Sequence, residues 1–356
     1  MEYLYLAMAV VTSGLSSPVY KKISGVSKNP AMSLIIPAAW FLPLAVIFGV
    51  TALIKGEFVF SGNMIFTSLL AGISAAACAF SLLESMKQNS FPVAVIIVNL
   101  SFIFPVILSM IFLGEKAHIL QLAGMLVTVA AVVILGTSGK GAKTAITAMI
   151  LAVVSSLGNG GIDFAIKLQQ HKTPGEGEAT FFFFTYLIAA ILSIAAYGAV
   201  RLLKKRRLAS LDNGGIPDEY TAALSKGNAA SDNDIPATSV DSKIPGENTP
   251  VAPVVSSGAV YSGQKRKNDD AKSLRKTVLI YAPIIAICNG LCFLGVSLLA
   301  DKMNAAAQFT LITSLSIIIS LVAGFVFSRE RIRPRELLCL LFCAAAIACQ
   351  YFNLTP

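Results

Sequence analysis

The sequence has few charged residues and few groups that do chemistry. Charged residues make up 13% of the 356 residues, against about 25% in a soluble domain, which excludes an ordinary soluble protein. The two histidines, His118 and His171, fall in or beside short loops. The sequence contains no metal triad, nucleophile elbow, phosphate-binding glycine loop or ATPase module. We therefore expect neither an enzyme nor an ATP-driven pump, and no cofactor or metal.

The six cysteines do not indicate a metal centre. All of them fall inside apolar stretches. Cys288 and Cys292 are four residues apart, as are Cys339 and Cys343, so each pair lies on one helix face. A structural zinc site needs about four ligands together. We interpret the cysteines as small apolar packing residues, and they indicate no redox compartment.

Long apolar runs dominate what is present. The chain is 55% hydrophobic, with a mean hydropathy of +0.73. A helix needs about 20 mostly apolar residues to cross a bilayer, and continuous runs favour helices over the alternating strands of a barrel. The N-terminus lacks the basic start of a cleavable signal peptide, so the first run is predicted to be retained. The sequence predicts an all-α polytopic membrane protein with ten transmembrane helices, at 3–20, 31–53, 63–85, 91–113, 118–137, 145–166, 180–200, 277–300, 304–327 and 336–352.

The sequence also repeats itself. AVVTS at 9–13 recurs as AVVSS at 152–156, and residues 83–116 align without gaps onto 298–331. The offsets of the two alignments differ by roughly the length of the polar segment 202–276, as expected if one copy carries an insertion. An odd number of spans separates the copies, which predicts two inverted five-helix repeats (5+5), a mark of secondary transporters. The predicted parts are 1–138 (spans 1 to 5), 144–201 plus 277–353 (spans 6 to 10), and the inserted loop 202–276.

The distribution of basic residues predicts an orientation. Lys and Arg are concentrated in the loops after spans 1, 3, 5, 7 and 9, and cytoplasmic loops carry the excess of such residues. We therefore expect a cytoplasmic loop 202–276 and extracytoplasmic termini, in the plasma or cytoplasmic membrane. The loop is rich in Ser, Asn, Asp, Gly and Pro, which predicts disorder. The net charge of +9 comes mostly from residues beside the membrane, which attract anionic lipid, so the expected partner is the bilayer and not nucleic acid.

Polar residues inside the predicted spans indicate a central cavity. Three of them lie four residues apart on one face of span 1, and the repeat places three more on the equivalent face of span 6. Such side chains are costly in a bilayer unless they face a cavity or another helix. The alternative for Ser and Thr is a bond to their own backbone, which cannot satisfy an amide completely. The candidate substrate-binding residues are Thr12, Ser16, Tyr20, Ser74, Asn99, Ser155, Asn159, Asn289 and Ser314.

Two acidic residues, Asp163 and Glu84, lie near the ends of predicted spans. Lys167 follows Asp163 by four residues and Lys87 follows Glu84 by three. Each acid therefore either forms an interfacial ion pair on its own helix or is a titratable group at the cavity mouth that couples transport to protons. An Asp163→Asn variant with unchanged pH dependence of uptake would discard the coupling role for that residue.

The predicted span 4 contains FPVAV at 91–95 and PVI at 105–107, and it is followed by LGEK at 113–116. Together with the ten spans in two five-span repeats, these motifs resemble the EamA-like branch of the drug/metabolite transporter superfamily, and the resemblance covers the chain apart from 202–276. The second copy ends on FSRER at 327–331, which keeps the Glu but lacks the Gly. The resemblance implies a carrier of small metabolites, often an exporter, that works by alternating access.

The sequence leaves the substrate and several alternatives open. The lining is mostly neutral and polar, which favours neutral or zwitterionic small molecules over polyanions, carried by a monomer or homodimer. The alternatives are a receptor or scaffold that acts through loop 202–276, a lipid flippase on the same fold, and a membrane-embedded enzyme. Deletion of 208–264 abolishes the function of a receptor of that kind and leaves a transporter's flux largely intact.

Overall fold

Helices make up all of the secondary structure in the described residues. The computed structural model describes residues 2–26, 30–88, 99–136, 146–173, 177–213, 258–328 and 334–351. The prediction of an all-α chain is confirmed for these residues. The helices are α1 (Glu2–Val26), α2 (Pro30–Ile35), α3 (Ala38–Lys55), α4 (Gly62–Gln88), a 3-10 turn (Leu100–Phe102) that leads into α5 (Ile103–Phe112), α6 (Ile119–Gly136), α7 (Ile146–Lys172), α8 (Glu178–Asn213), α9 (Gly258–Ala300), α10 (Ala305–Ser328) and α11 (Pro334–Tyr351).

Several of these segments have the length and composition of membrane spans. Three shorter apolar segments, at Leu100–Phe112, Ile119–Ala131 and Leu337–Gln350, accompany six that are long enough to cross a bilayer. Large apolar side chains on the outer faces stay exposed, such as Ile54 at 80% and Leu279 at 79%, as expected for residues that face hydrocarbon. These features are consistent with an integral membrane protein. The six long segments are Pro30–Lys55, Gly62–Lys87, Ile150–Lys172, Glu178–Arg206, Leu274–Ala300 and Ala305–Val322.

The predicted span 31–53 is two helices joined by a turn. The turn lies at Ile36 and Pro37, between α2 and α3. Pro37 stands immediately before α3 and its carbonyl accepts from the N–H of Phe41 at 3.0 Å. Pro is tolerated at a helix start because the first N–H groups there need no intrahelical partner.

The chain divides into two compact units. One comprises residues 1–197 with 271–356, and the other comprises residues 198–270. The second unit contains the end of α8 and the start of α9. The residues of the cavity described below all belong to the first unit.

The predicted disordered loop 202–276 is helical at both ends. Residues 202–213 continue α8, and residues 258–276 form the start of α9. The stretch 202–209 consists of Leu, Lys, Arg and Ala, which are strong helix formers, so a polar composition does not prevent helix formation there. Residues 214–257 lie outside the described part of the chain.

A seam of small residues joins α4 to α7. A Cβ added at Gly158 would lie 2.8 Å from the carbonyl oxygen of Ser74 and 2.9 Å from the Cβ of Cys78. The two helices run antiparallel, because Thr67 near the start of α4 bonds Gln169 near the end of α7, at 2.5 Å. Glycine permits this approach because it has no side chain.

Similar close contacts join α1 to α9 and α10. An added Cβ at Gly295 of α9 would lie 2.8 Å from the carbonyl oxygen of Tyr5, and one at Gly14 of α1 would lie 2.6 Å from Ile319 of α10. The hydroxyl of Ser316 donates to the carbonyl of Val10 at 3.4 Å. The first helix of the chain is therefore held by two helices from the C-terminal half.

The small-residue faces of α6 and α11 pack against each other, and the cysteines of α11 take part as the packing residues that the sequence predicts. Gly124 leaves room for Ala346 and Gln350, which an added Cβ would meet at 3.2 and 2.8 Å. Cys339 and Cys343 are fully buried. All six cysteines are free thiols.

A chain of aromatic rings ties α1 to α3 and α8. The ring centroid of Tyr20 lies 5.9 Å from that of Trp40, and Trp40 lies 5.8 Å from Phe41. Phe41 stacks on Tyr186 of α8 at 6.1 Å. Aromatic pairs at these separations add stability beyond the area they bury, so these rings hold α1, α3 and α8 together.

Candidate functional site

A cavity of about 150 Å³ lies among α1, α3, α4, α7, α9, α10 and the 3-10 turn before α5. An apolar cavity of about this volume can hold a benzene-sized molecule, so the space suits a small solute. Its aromatic lining consists of Tyr20, Trp40, Phe41, Phe293 and Phe309. Its other polar lining consists of Ser13, Ser16, Ser17, Asn99, Ser101, Asn159, Asp163, Asn289, Thr313 and Ser316.

Six of the predicted residues line this cavity. They are Ser16 and Tyr20 on α1, Asn99 before the 3-10 turn, Asn159 and Asp163 on α7, and Asn289 on α9. The repeat alignment pairs Ser16 with Asn159 and Tyr20 with Asp163, so the structure brings the paired residues to one place.

Asn159 and Asn289 are held by bonds that cross between helices. The amide of Asn159 donates to the hydroxyl of Ser101 at 2.8 Å, and that of Asn289 donates to the hydroxyl of Tyr20 at 2.6 Å. A helix cannot satisfy an amide side chain by itself. These bonds use one donor of each amide and orient the remaining polar atoms around the cavity.

Four of the predicted substrate-binding residues lie outside the cavity lining. The Thr12 hydroxyl bonds its own helix at the carbonyl of Met8, 2.6 Å away, as Thr often does in helices. The side chains of the other three lie in contacts between helices. Ser74 lies against Gly161, Ser155 contacts Cys78, and Ser314 bonds Thr128 at 3.0 Å.

The face of α1 that lines the cavity is rotated from the predicted one. It consists of Ser13, Ser16, Ser17 and Tyr20, which follow the i, i+3, i+4, i+7 spacing of one helix face. The prediction placed Thr12 on this face instead. Ser13 and Ser17 were missed, although their spacing with Tyr20 is a signal that the sequence contains.

Asp163 does not pair with Lys167, so the interfacial pair considered from the sequence does not form. Lys167 turns away to Glu115, with 3.1 Å between its Nζ and Oε1. Asp163 is 8% exposed and lines the cavity. Within the described residues, no side chain makes an ion pair or hydrogen bond with its carboxylate.

Glu84 does form the interfacial pair. Its Oε1 lies 2.6 Å from the Nζ of Lys87, and Lys87 also donates to the hydroxyl of Ser33 at 2.6 Å. Glu84 does not line the cavity. Near this end of α4, Lys21 of α1 donates to the carbonyl of Met86 at 2.9 Å. This cluster joins α1, α2 and α4.

A second charged cluster lies one turn along α7 from Asp163. Lys167 is 3% exposed and donates to the carbonyls of Ala300 and Met303 as well as to Glu115. The other oxygen of Glu115 accepts from the N–H of Ala305 at 2.7 Å, at the start of α10. A carboxylate at a helix N-terminus is favourable because of the exposed N–H groups there.

This cluster gives the LGEK segment a structural role that the sequence did not reveal. Gly114 has a φ of +67°, a conformation that favours glycine, and it ends α5 so that Glu115 turns toward α10. Asn304 adds a bond to Gln121 at 3.0 Å. Together these residues join the loop after α5 to the loop between α9 and α10.

The described residues contain no group of three or more His, Cys, Asp or Glu side chains placed to hold a metal ion. The cavity instead offers hydroxyls, amides and one carboxylate. Such a lining can bind and orient a small solute by hydrogen bonds and charge.

Comparison with known proteins shows the fold. No family model and no curated protein matches the chain. Chains of solved structures do match, 28 in all, so the arrangement of helices recurs outside this protein. One of them, described simply as the crystal structure of a protein, is similar over 97% of this chain and 98% of its own, with a TM-score of 0.58 and 13% sequence identity. At this identity the similarity concerns the helical fold alone.

Proposed function

We propose that this protein is a secondary transporter that moves a small solute by alternating access around the cavity. The observation that carries the proposal is the cavity itself: a hollow of about 150 Å³ with polar side chains in its wall, bounded by helices from both halves of an apolar chain. Polar groups inside membrane segments are costly and usually mark a pathway. Transporter sites lie where two structural repeats meet.

The pairing of helix contacts supports two inverted five-helix repeats. Ser101 and Ser316 are aligned by the repeat, and they contact α7 and α1 respectively. Ser74 and Asn289 lie before the aligned segments but at the same offset, and they too contact α7 and α1. Each half therefore touches the first helix of the other half in the same way. The antiparallel course of α4 and α7 agrees with an inversion, because α4 belongs to one half and α7 to the other.

The cluster around Lys167 and Glu115 acts as a gate in this proposal. It lies one turn beyond the cavity, and it joins α7 to the loops at 113–118 and 300–304. In the orientation predicted from Lys and Arg, these loops are extracytoplasmic, so the cluster closes that end. Breaking and reforming such a bonded cluster is a two-state change of the kind that alternating access requires.

We place the protein in the EamA-like branch of the drug/metabolite transporter superfamily, with extracytoplasmic termini and residues 202–276 on the cytoplasmic side of a plasma or cytoplasmic membrane. The LGEK segment supports the family, and the basic loops support the orientation. A C-terminal reporter that is active only in the cytoplasm tests the orientation, because a strong signal would reverse it.

The function is tested by binding and flux together. Purified protein is screened against a metabolite library by thermal shift, because a ligand of the folded state raises apparent stability. A true hit is weakened by Asn159→Ala and moves across the bilayer of proteoliposomes that contain the protein. A hit that binds but shows no flux, together with loss of function on deletion of 208–264, would favour a receptor instead.

A further inference from the structure

We infer that the transported solute carries a protonated amine, which pairs with Asp163. The inference rests on the proposed function, because it treats the cavity as the solute site. It names the class of solute and the residue that selects it. The starting observation is a carboxylate that lines a buried cavity and has no ion-pair or hydrogen-bond partner in the part of the chain that the structure describes.

An ionised carboxylate is expensive to bury without a partner. Buried charges in proteins are paired or neutralised, since removal from water costs several kcal/mol or more. Lys167 is the nearest basic residue along α7, and it is already bonded to Glu115 and to the carbonyls of Ala300 and Met303. The protein therefore keeps its own cation away from Asp163, so the ionised carboxylate gains a countercharge only from a bound solute.

The other groups around the cavity also favour a cation. No Lys, Arg or His is among the described residues that line it, so an anionic solute would meet a carboxylate and no positive charge. The titratable groups that share the cavity with Asp163 are Tyr20 on α1, Cys78 on α4 and Cys292 on α9. All three are neutral in their ordinary state near pH 7.

The aromatic wall provides a second feature that suits an ammonium group. Trp40, Phe41, Phe293 and Phe309 line the cavity together with Tyr20. Cations are attracted to aromatic faces, by about 0.5–2 kcal/mol, and the same rings accommodate an apolar body. A small amine with an apolar body matches both the charge and the walls, whereas a neutral solute can offer Asp163 a hydrogen bond but no positive charge.

The test uses two sets of probes that share a skeleton and differ in charge. They are butylamine, 1-butanol and butyrate, and phenethylamine, 2-phenylethanol and phenylacetate. Isothermal titration calorimetry at neutral pH measures their binding to the full-length protein in detergent. We expect at least one amine to bind about 10- to 100-fold more tightly than its alcohol and its carboxylate, which is the effect of one charge-assisted bond.

The variants assign this preference to one residue. Asp163→Asn should remove the advantage of the amine, and Asp163→Glu should restore it in part. Glu57→Gln is the matched control, because Glu57 pairs with Lys55 on the exposed surface and does not line the cavity. The inference is overturned if neither amine binds, if the alcohol or carboxylate binds equally well, or if amine binding survives in a folded Asp163→Asn variant.

Flux measurements separate this inference from the proposed function. Proteoliposomes are loaded with the amine that binds, and its exit is followed over time. Binding without exit would overturn the transporter proposal and leave the amine site in place. Flux of a neutral or anionic solute that is indifferent to Asp163→Asn would retain the transporter and overturn the amine site.

Discussion

Lys167 pairs with Glu115 at 3.1 Å and leaves Asp163, one helical turn away, without a basic partner. Two carboxylates, those of Asp163 and Glu115, are candidate partners for the side chain of Lys167. The two pairings have different consequences. A pair with Asp163 would neutralise the cavity, whereas the observed pair joins two loops and leaves the cavity acidic. One choice of partner thus both joins the two loops and sets the charge of the cavity.

The ion pair should contribute measurably to stability. We expect Lys167→Met and Glu115→Gln each to lower the melting temperature in detergent, because each leaves a polar partner unpaired, and Lys167→Met also frees the carbonyls of Ala300 and Met303. A double-mutant cycle should give a coupling energy of about 1–3 kcal/mol. Additive effects of the two changes would show that the pair does not hold the loops together.

The seam between α4 and α7 should not tolerate a side chain. Gly158→Ala places a Cβ within 3 Å of the backbone of Ser74 and Cys78, and overpacking of this kind costs about 1–3 kcal/mol. Gly198→Ala is the control, because a Cβ there meets no atom within 4 Å. The free energy of unfolding of the control should rise by about 0.5–1 kcal/mol, because alanine is more favourable than glycine within a helix. Thermal unfolding of both variants checks this, and equal stability would contradict the close approach.

The bond between Asn289 and Tyr20 should couple these two residues across the cavity. Tyr20→Phe and Asn289→Ala each remove the bond, whose length is 2.6 Å. We expect each single variant to lower the free energy of unfolding by about 0.5–1.5 kcal/mol. The double variant should lower it by less than the sum of the two single effects. Thermal unfolding measures the cycle, with Thr51→Ala as a control because its hydroxyl bonds only its own helix at the exposed surface. If the effects of the two single variants add up to the effect of the double variant, the two groups do not bond each other.

Acid should inhibit amine flux through Asp163. Protonation removes the negative charge that holds the ammonium group, so flux should fall as the pH falls through the titration of this carboxyl. Tyr20, Cys78 and Cys292 share the cavity, but their ordinary titration lies well above the acid range. Uptake into proteoliposomes from pH 4 to pH 8 measures the effect. Asp163→Asn should flatten the curve, and an unchanged curve in that variant would discard proton competition at this residue.

The apolar helices could be predicted from the sequence because long apolar runs determine them, whereas the polar helical ends at 202–213 and 258–276 carry no such run. The rotation of each helix was harder to predict. The spacing of Thr12, Ser16 and Tyr20 by four residues fits two neighbouring faces of α1, and packing against α9 and α10 selects the face with Ser13 and Ser17. Hydroxyls that bond their own backbone are tolerated on either face, so the spacing of Ser13 and Ser17 with Tyr20 is the signal that distinguishes the two.

The partner of Lys167 could not be predicted from spacing at all. On an isolated helix the fourth residue before it is the natural partner, and that residue is Asp163. The competing carboxylate of Glu115 lies in a loop that is far away in sequence, and it is bonded to the N-terminus of α10. The carbonyls of Ala300 and Met303 also accept from Lys167. Contacts of this kind depend on tertiary structure, which a local pattern does not contain.

The single tryptophan of the sequence, Trp40, lies in the wall of the cavity and contacts Tyr20. The emission of this one indole should therefore respond when a molecule occupies the hollow, with no background from a second indole. Occupancy can be followed by fluorescence in real time on the unlabelled protein, and the optical signal comes from the same ring that an amine would touch.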